Sequence, residues 1–231
     1  DARIARQEGA PGYGNAGRGN TVRQTFAAMT QALDRNVGRI LNALDESGQA
    51  ENTLLVFHSD NGGSPKHGGD NTPLRGAKFT TWEGGTRVVS LLCWPAKTPG
   101  GRVFAHPTCY LDLLPTFAAA AAAEAPEGLD GLDLLPMLAS ATGAADLPDR
   151  VLLLGKDAAV STRWKLRGGQ LFDLIEDPNE TRDIAAQHPG EVQRLSNALK
   201  AFPAMKGPRV TSALAKPAEW PPAEWKLPVE P

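Results

Sequence analysis

Leu54, Leu55, Val56 and Phe57 form an apolar run with no polar interruption, and it comes directly after a helical stripe. Phe26, Met29, Leu33, Val37, Ile40, Leu41 and Leu44 recur at the spacing that puts them on one face of an α-helix. Asn20 or Thr21 is placed to cap the start of that helix, and Gly48 follows its end where a glycine is favoured. A short, continuously apolar strand is what a buried parallel strand looks like when helices cover both faces of its sheet. Helix followed directly by such a strand predicts layered α/β architecture.

The rest of the chain extends this pattern and then changes it. Residues 87–94 read as a second buried strand closed by Pro95, and residues 112–123 as a second helix with Pro115 tolerated in its first turn. Beyond about residue 140, the segments 151–154, 159–166 and 170–174 read as short strands separated by Gly-Lys-Asp and Arg-Gly-Gly turns. A last helix is expected over 190–202. The expected organisation is an α/β part over 1–140, a small antiparallel sheet with one helix over 141–205, and a proline-rich tail over 206–231. Trp220 and Trp225 suggest that the tail docks on the protein.

Composition narrows the class. With 41% hydrophobic residues and five tryptophans, the 231 residues can build a real core. The net charge of −2 provides no basic field, so nucleic acid is not an expected partner. Cys93 and Cys109 allow one disulfide at most, and no C-x-x-C pair points to zinc or redox work. No apolar run approaches the length of a membrane span. The opening residues are polar, with no initiator methionine and no apolar leader, so a fragment or processed product is expected.

The chemistry concentrates between Ser59 and Arg87. Asp60 and Asn61 follow the 54–57 strand, at the carboxyl edge where open α/β sheets collect ligands. Their carboxylate and amide oxygens suit Ca²⁺ or Mg²⁺. Taken alone, Asp-Asn-Gly-Gly reads first as a plain turn, and its context turns the reading towards a metal site. Lys78 offers a compact point charge for a phosphate or sulfate oxygen, against the ordinary fate of a solvated surface lysine. Gly76, Gly84 and Gly85 permit close backbone approach around it. Glu83 with Arg87, and Arg75 nearby, are expected to hold the loop by ion pairing.

The run P-L-R-G-A-K-F-T-T-W-E-G-G-T-R, residues 73–87, resembles the second signature of the sulfatase family, in which G-x-K-x-x-x-x-E-G-G-x-R follows an S-D-N-G element. The similarity covers about 20–200. The 26–41 helix, the D-x-x-P-T run from Asp112 to Thr116, the L-D-G run from Leu129 to Gly131 and the W-K-L run from Trp164 to Leu166 all fall in the family's order. So does the segment from Leu171 to Glu180. The wording N-x-P-L-R-G-x-K with W-E-G-G is most similar to the branch containing arylsulfatase B. The resemblance implies an alkaline-phosphatase-like α/β sandwich with a small C-terminal antiparallel sheet and helix. It also implies Ca²⁺ (Mg²⁺ as the alternative) bound by Asp60 and Asn61, sulfate bound by Lys78, and a sulfated glycan or small molecule as substrate. The family nucleophile is a formylglycine made in a C/S-x-P-x-R motif; that motif and the paired-aspartate metal site are unmatched here and are expected upstream of residue 1. The chain alone is therefore expected to be inactive, and poorly soluble.

Cys93-Trp94-Pro95-Ala96-Lys97 mimics that motif but lies where the family carries an ordinary strand, so Cys93 is not expected to be the nucleophile. His67 reads either as a group that reaches substrate and protonates a leaving group or as a loop residue without a role. His58 is expected to pack or hydrogen-bond on its strand, His106 to reach the pocket entrance and His188 to be structural. Two further functions stay open: a phosphomonoester or phosphonate hydrolase of the same superfamily, and a non-catalytic remnant that binds sulfated glycans. Cysteine usage does not reveal a compartment; the resemblance implies a periplasmic or extracellular one.

Overall fold

The computed structural model describes residues 21–140 and 147–201. The chain opens with α1 (Val22–Glu46), capped by Thr21 in a reciprocal capping box with Gln24. Thr21, the second of the two expected caps, accepts from the Gln24 amide at 3.1 Å and contributes about 1 kcal/mol. Gly48 follows with φ +69°, as a helix stop requires. None of the α1 residues is buried; Met29, Leu33 and Ile40 are 69%, 53% and 55% exposed.

β1 (Leu55–His58) confirms the 54–57 strand to within one residue, but its pairing departs from expectation. It runs antiparallel to β2 (Ser90–Cys93), with Leu55 opposite Cys93 and His58 opposite Ser90. Neither strand contains a buried residue, and Leu91 is 61% exposed. Among the described residues no third strand joins this ribbon. Continuous apolarity signals that both strand faces suit a nonpolar cover, and carries no information about strand direction. Between the two strands, inside what reads as a loop, lies the one-turn helix α2 (Glu83–Thr86).

The second expected helix is shorter than its sequence pattern. α3 (Leu113–Ala120) follows a 3₁₀ turn at Tyr110–Asp112 and ends before Ala122, which has φ +51°. Asp112 and Thr116 of the D-x-x-P-T run are fully buried and work as connectors. Asp112 takes N–H donors from Cys109 and Leu132, each at 2.8 Å, and a two-pronged Arg150 guanidinium, with the Nη1 contact at 2.7 Å. The Thr116 hydroxyl accepts from the Leu134 amide at 2.9 Å. A Cβ on Gly131 would lie 2.0 Å from the Leu111 carbonyl oxygen, so the L-D-G turn is pressed directly onto the 3₁₀ turn. These bonds seat α4 (Leu135–Ala139), whose Met137 and Leu138 form a small core with Leu134.

The C-terminal part is a four-stranded antiparallel meander: β3 (Leu152–Leu154), β4 (Ala158–Val160), β5 (Trp164–Arg167) and β6 (Gln170–Asp173). The single strand expected over 159–166 is two, because the chain reverses at Ser161, whose amide donates to the Trp164 carbonyl at 2.8 Å. α5 (Pro189–Ala201) lays Leu195 onto Ala159, Leu166, Leu171 and Ile184, the largest buried apolar cluster. The tail expected over 206–231 lies outside the described residues. Among the described residues no helix is long and apolar enough to cross a membrane.

Candidate functional site

Two loops are brought together by backbone contact. The Gly62 amide donates to the Gly85 carbonyl at 3.0 Å, and the Lys78 amide to the Gly63 carbonyl at 3.2 Å. A side chain at Gly62 could not exist here, since its Cβ would sit 1.8 Å from the Gly84 carbonyl oxygen. Asn71 fastens the same loop from the other side. Its Oδ1 accepts from the Gly63 amide at 2.7 Å while its Nδ2 donates to the Gly63 carbonyl at 2.8 Å. Lys78 is thereby tied to a residue two positions beyond Asn61.

Asp60 is exposed and Asn61 half-buried at the carboxyl end of β1. Asn61 Nδ2 donates to Asp60 Oδ1, so the two side chains converge. Turning that amide over would present Asn61 Oδ1 beside the carboxylate, which two oxygens tolerate only around a cation. The pair fits a hard cation, as two of the roughly six to eight oxygens Ca²⁺ takes. Among the described residues no cluster of three histidine, cysteine or acidic side chains completes a metal site. Lys78 is half-buried; its Nζ lies 5.3 Å from the centroid of the Phe79 ring and has no carboxylate partner among the described residues.

The other sequence candidates fall in different places. His67 is exposed and ends a 3₁₀ turn at Pro65–His67. That turn is held by the first turn of α1, whose Arg23 Nη1 donates to the Gly68 carbonyl at 2.5 Å. His58 is exposed rather than packed, because the open ribbon leaves its strand face uncovered. His106 lines a surface hollow with Asp149, Arg163 and Arg194 that contains none of Asp60, Asn61 or Lys78. It therefore does not share their site. The His188 ring rests on Trp164 with centroids 4.7 Å apart. Cys93 is exposed at the end of β2, and Cys93 and Cys109 are both free thiols.

The support behind the Lys78 loop comes from the C-terminal meander. Trp82 is held between two guanidinium groups, Arg75 at 3.7 Å and Arg167 at 3.9 Å from its ring centroid, with Phe172 meeting it edge-on at 5.6 Å. Arg75 Nη1 donates to the Glu180 carbonyl at 2.9 Å, and Arg167 Nε to Thr81 Oγ1 at 2.9 Å. Lys165, fully buried on β5, places its Nζ 2.8 Å from Glu83 Oε1 and 3.0 Å from Glu180 Oε1. Only the first contact is aligned as a hydrogen bond. The second Glu180 oxygen caps α2 by accepting from the Glu83 amide at 2.6 Å. The expected Glu83–Arg87 pair exists at 3.5 Å, but Arg87 is half-exposed and Lys165 is the closer partner. Burial pushes the Glu180 carboxyl above its ordinary range, against the Glu83 amide and Lys165, which pull it down; the Glu83 charge adds to the rise. Burial pushes the Asp112 carboxyl up as well, but the Arg150 guanidinium and the Cys109 and Leu132 amides outweigh it and hold it below the usual range.

The segment from Ser59 to Arg87 thus belongs to an α/β unit and rests on the antiparallel meander. The path of the chain follows that of Ps i-CgsB solved in complex with k-i-k-neocarrahexaose, with a TM-score of 0.71 and 34% identity over 79% of this chain and 43% of that one. The PsFucS1 sulfatase from Pseudoalteromonas sp. shares the fold at 24% identity, TM-score 0.65, over 83% of this chain and 44% of that one. The family model described as Sulfatase matches residues 5–123, more than half of the sequence, and the chain belongs to the sulfatase family, with its alkaline-phosphatase-like fold. Steryl-sulfatase of Mus musculus is 40% identical over 111 residues, 45% of this chain and 18% of that protein. Arylsulfatase J of Mus musculus is 38% identical over 102 residues, 44% of this chain and 17% of that protein. The chain thus spans about a fifth of the length of the curated relatives it matches.

Proposed function

We propose that this chain contributes the anion- and cation-binding loops of a sulfuric ester hydrolase acting on a sulfated glycan or small alcohol. One observation carries the reading. Lys78 presents an ammonium without a carboxylate partner among the described residues, on a loop bonded through backbone to the segment carrying Asp60 and Asn61. In this reading Lys78 holds a sulfate oxygen, and Asp60 and Asn61 hold Ca²⁺ with other ligands from outside the 231 residues. When bound, the cation would draw charge from the sulfate oxygens and ease attack at sulfur. In this reading the backbone bond between Lys78 and Gly63 ties the anion ligand to the segment of the proposed metal ligands, so that the anion would meet both charges in one orientation. His67 is proposed as a proton donor to the leaving alcohol, which its exposed place on the neighbouring turn permits.

The formylglycine nucleophile is proposed to lie outside this sequence, since no C/S-x-P-x-R motif occurs within it. The meander and α5 form a supporting unit, separated from the ligand loops at about residue 140. A carbohydrate substrate is supported by the oligosaccharide in the complex with Ps i-CgsB.

The test is steady-state hydrolysis by the full-length gene product of 4-nitrophenyl sulfate beside 4-nitrophenyl phosphate. Lys78→Ala should lower kcat/KM on the sulfate by about a hundredfold or more. Chelation should abolish turnover and added Ca²⁺ restore it. A higher kcat/KM on the phosphate would establish the phosphohydrolase instead. Sulfate binding with no turnover on any ester would establish a non-catalytic binder.

A further inference from the structure

Residues 77–80 make a tight turn around the proposed sulfate ligand. The Thr80 amide donates to the Ala77 carbonyl at 3.0 Å, and the Thr80 hydroxyl binds the Ala77 carbonyl and amide at 2.7 and 3.1 Å. Lys78 and Phe79 are its two central residues. Phe79 has φ +73°, a left-handed conformation that the second central position of such a turn normally reserves for glycine. For a bulky side chain this is a true outlier. Burial does not compensate it, because Phe79 is 93% exposed. The Lys78 Nζ lies 5.3 Å from the ring centroid. The chain therefore holds a strained backbone and an uncovered aromatic face directly beside an ammonium that has no carboxylate partner among the described residues. Strained residues of this kind collect at ligand clamps, where the surroundings hold them for what they present.

We propose that the Phe79 ring is a stacking platform for the ring that carries the sulfate ester, whether aryl or pyranose, seated as the sulfate meets Lys78. The inference rests on the reading of Lys78 as the sulfate ligand. The chemistry is common to both rings: each has a flat or nearly flat apolar face that an aromatic ring can cover. Glycine at this position would remove the platform and relieve the backbone together, so loss of recognition separates from loss of folding.

The experiment compares wild type, Phe79→Gly and Phe79→Trp in the full-length gene product, on 4-nitrophenyl sulfate and on a sulfated hexose, with a thermal melt of each protein. Phe79→Gly should raise KM about fivefold to tenfold on at least one ester, as expected for one lost stacking contact. Its melting temperature should stay level or rise, and Phe79→Trp should hold KM within about twofold of wild type. An effect confined to the aryl ester identifies an aryl group as the natural ring, and one confined to the hexose identifies a pyranose. Unchanged KM on both esters overturns the platform, as does a KM rise that Phe79→Trp fails to rescue. A fall in melting temperature with KM unchanged also overturns it, because the ring is then covered by other parts of the protein. A wild-type protein that hydrolyses neither ester removes the sulfatase reading itself, and the platform with it.

Discussion

Replacing Lys165 by methionine removes one ammonium and leaves two carboxylates, Glu83 and Glu180, buried without it. The side chain of Lys165 is wholly buried, as is that of Glu180, and that of Glu83 is 7% exposed. Solvent therefore cannot replace the lost charge. Removing one partner of a buried ion pair costs about 3–5 kcal/mol because the remaining charge is stranded. Glu83 keeps a second contact with the half-exposed Arg87 at 3.5 Å while Glu180 loses its ion-pair partner, which argues for the middle of that range at neutral pH. Uptake of a proton by Glu180 sets a ceiling, since burial already favours its neutral form. The sign follows. A carboxyl whose folded pKa is raised contributes stability that is present below its unfolded pKa and lost as pH rises through the folded one. Lys165→Met should therefore lose about 4 kcal/mol at pH 7 and clearly less near pH 5. Urea unfolding of the full-length gene product at both pH values measures the difference. Adding Glu83→Gln and Glu180→Gln to Lys165→Met should recover part of the loss and flatten its pH dependence. A loss below about 1 kcal/mol at pH 7, or one equal at both pH values, would refute the argument that this triad is charged and dry.

Two further substitutions probe other joints of the structure. Asp112→Asn breaks the two-pronged Arg150 contact at a fully buried site and should cost about 3 kcal/mol at neutral pH. Because the folded pKa of Asp112 is depressed, its contribution is present above the ordinary carboxylate range and fades as pH falls below about 4; unfolding of wild type and variant should converge there. Gly62→Ala drives a methyl to 1.8 Å from the Gly84 carbonyl oxygen and must part the two ligand loops. It should reduce sulfate-ester turnover at least as severely as Lys78→Ala, with a loss of about 2 kcal/mol or more in stability.

What the sequence reveals depends on how local the responsible interaction is. Thr21, the α1 stripe and Gly48 act within one or two helical turns, and the helix is legible almost to the residue. β1 is legible as a strand because four apolar residues between polar ones suffice to mark it. Its antiparallel partner is not, since pairing with β2 is decided 32 or more residues away by the return path of the loop. Signature spacing marked Lys78, Asp60 and Asn61 as one neighbourhood, and the Lys78–Gly63 bond joins their loops. It also suggested Glu83–Arg87 as the pair that holds the loop, because those two residues are neighbours in sequence.

The stronger partners of Glu83 are Lys165 and Glu180, 82 and 97 residues away. Lys165 sits in the W-K-L run of a short strand, and lysine is a residue type almost never fully buried unless paired. Only the fold shows that Phe172, its cross-strand neighbour on the same face, lies under Trp82 and that the lysine is buried against Glu83 and Glu180. Phe79 was missed for the opposite reason. Nothing in the letters G-A-K-F-T-T distinguishes a left-handed phenylalanine from an ordinary one, and its φ of +73° exists only once Thr80 closes the turn. The two residues most informative about how the Lys78 loop is held and what it faces were thus hidden, one by distance along the chain and the other by backbone geometry. Each acts through the same short segment that the signature had marked. The motif names the candidate ligand residues; Lys165 and Glu180, which hold their loop, are found only where that motif touches the rest of the fold.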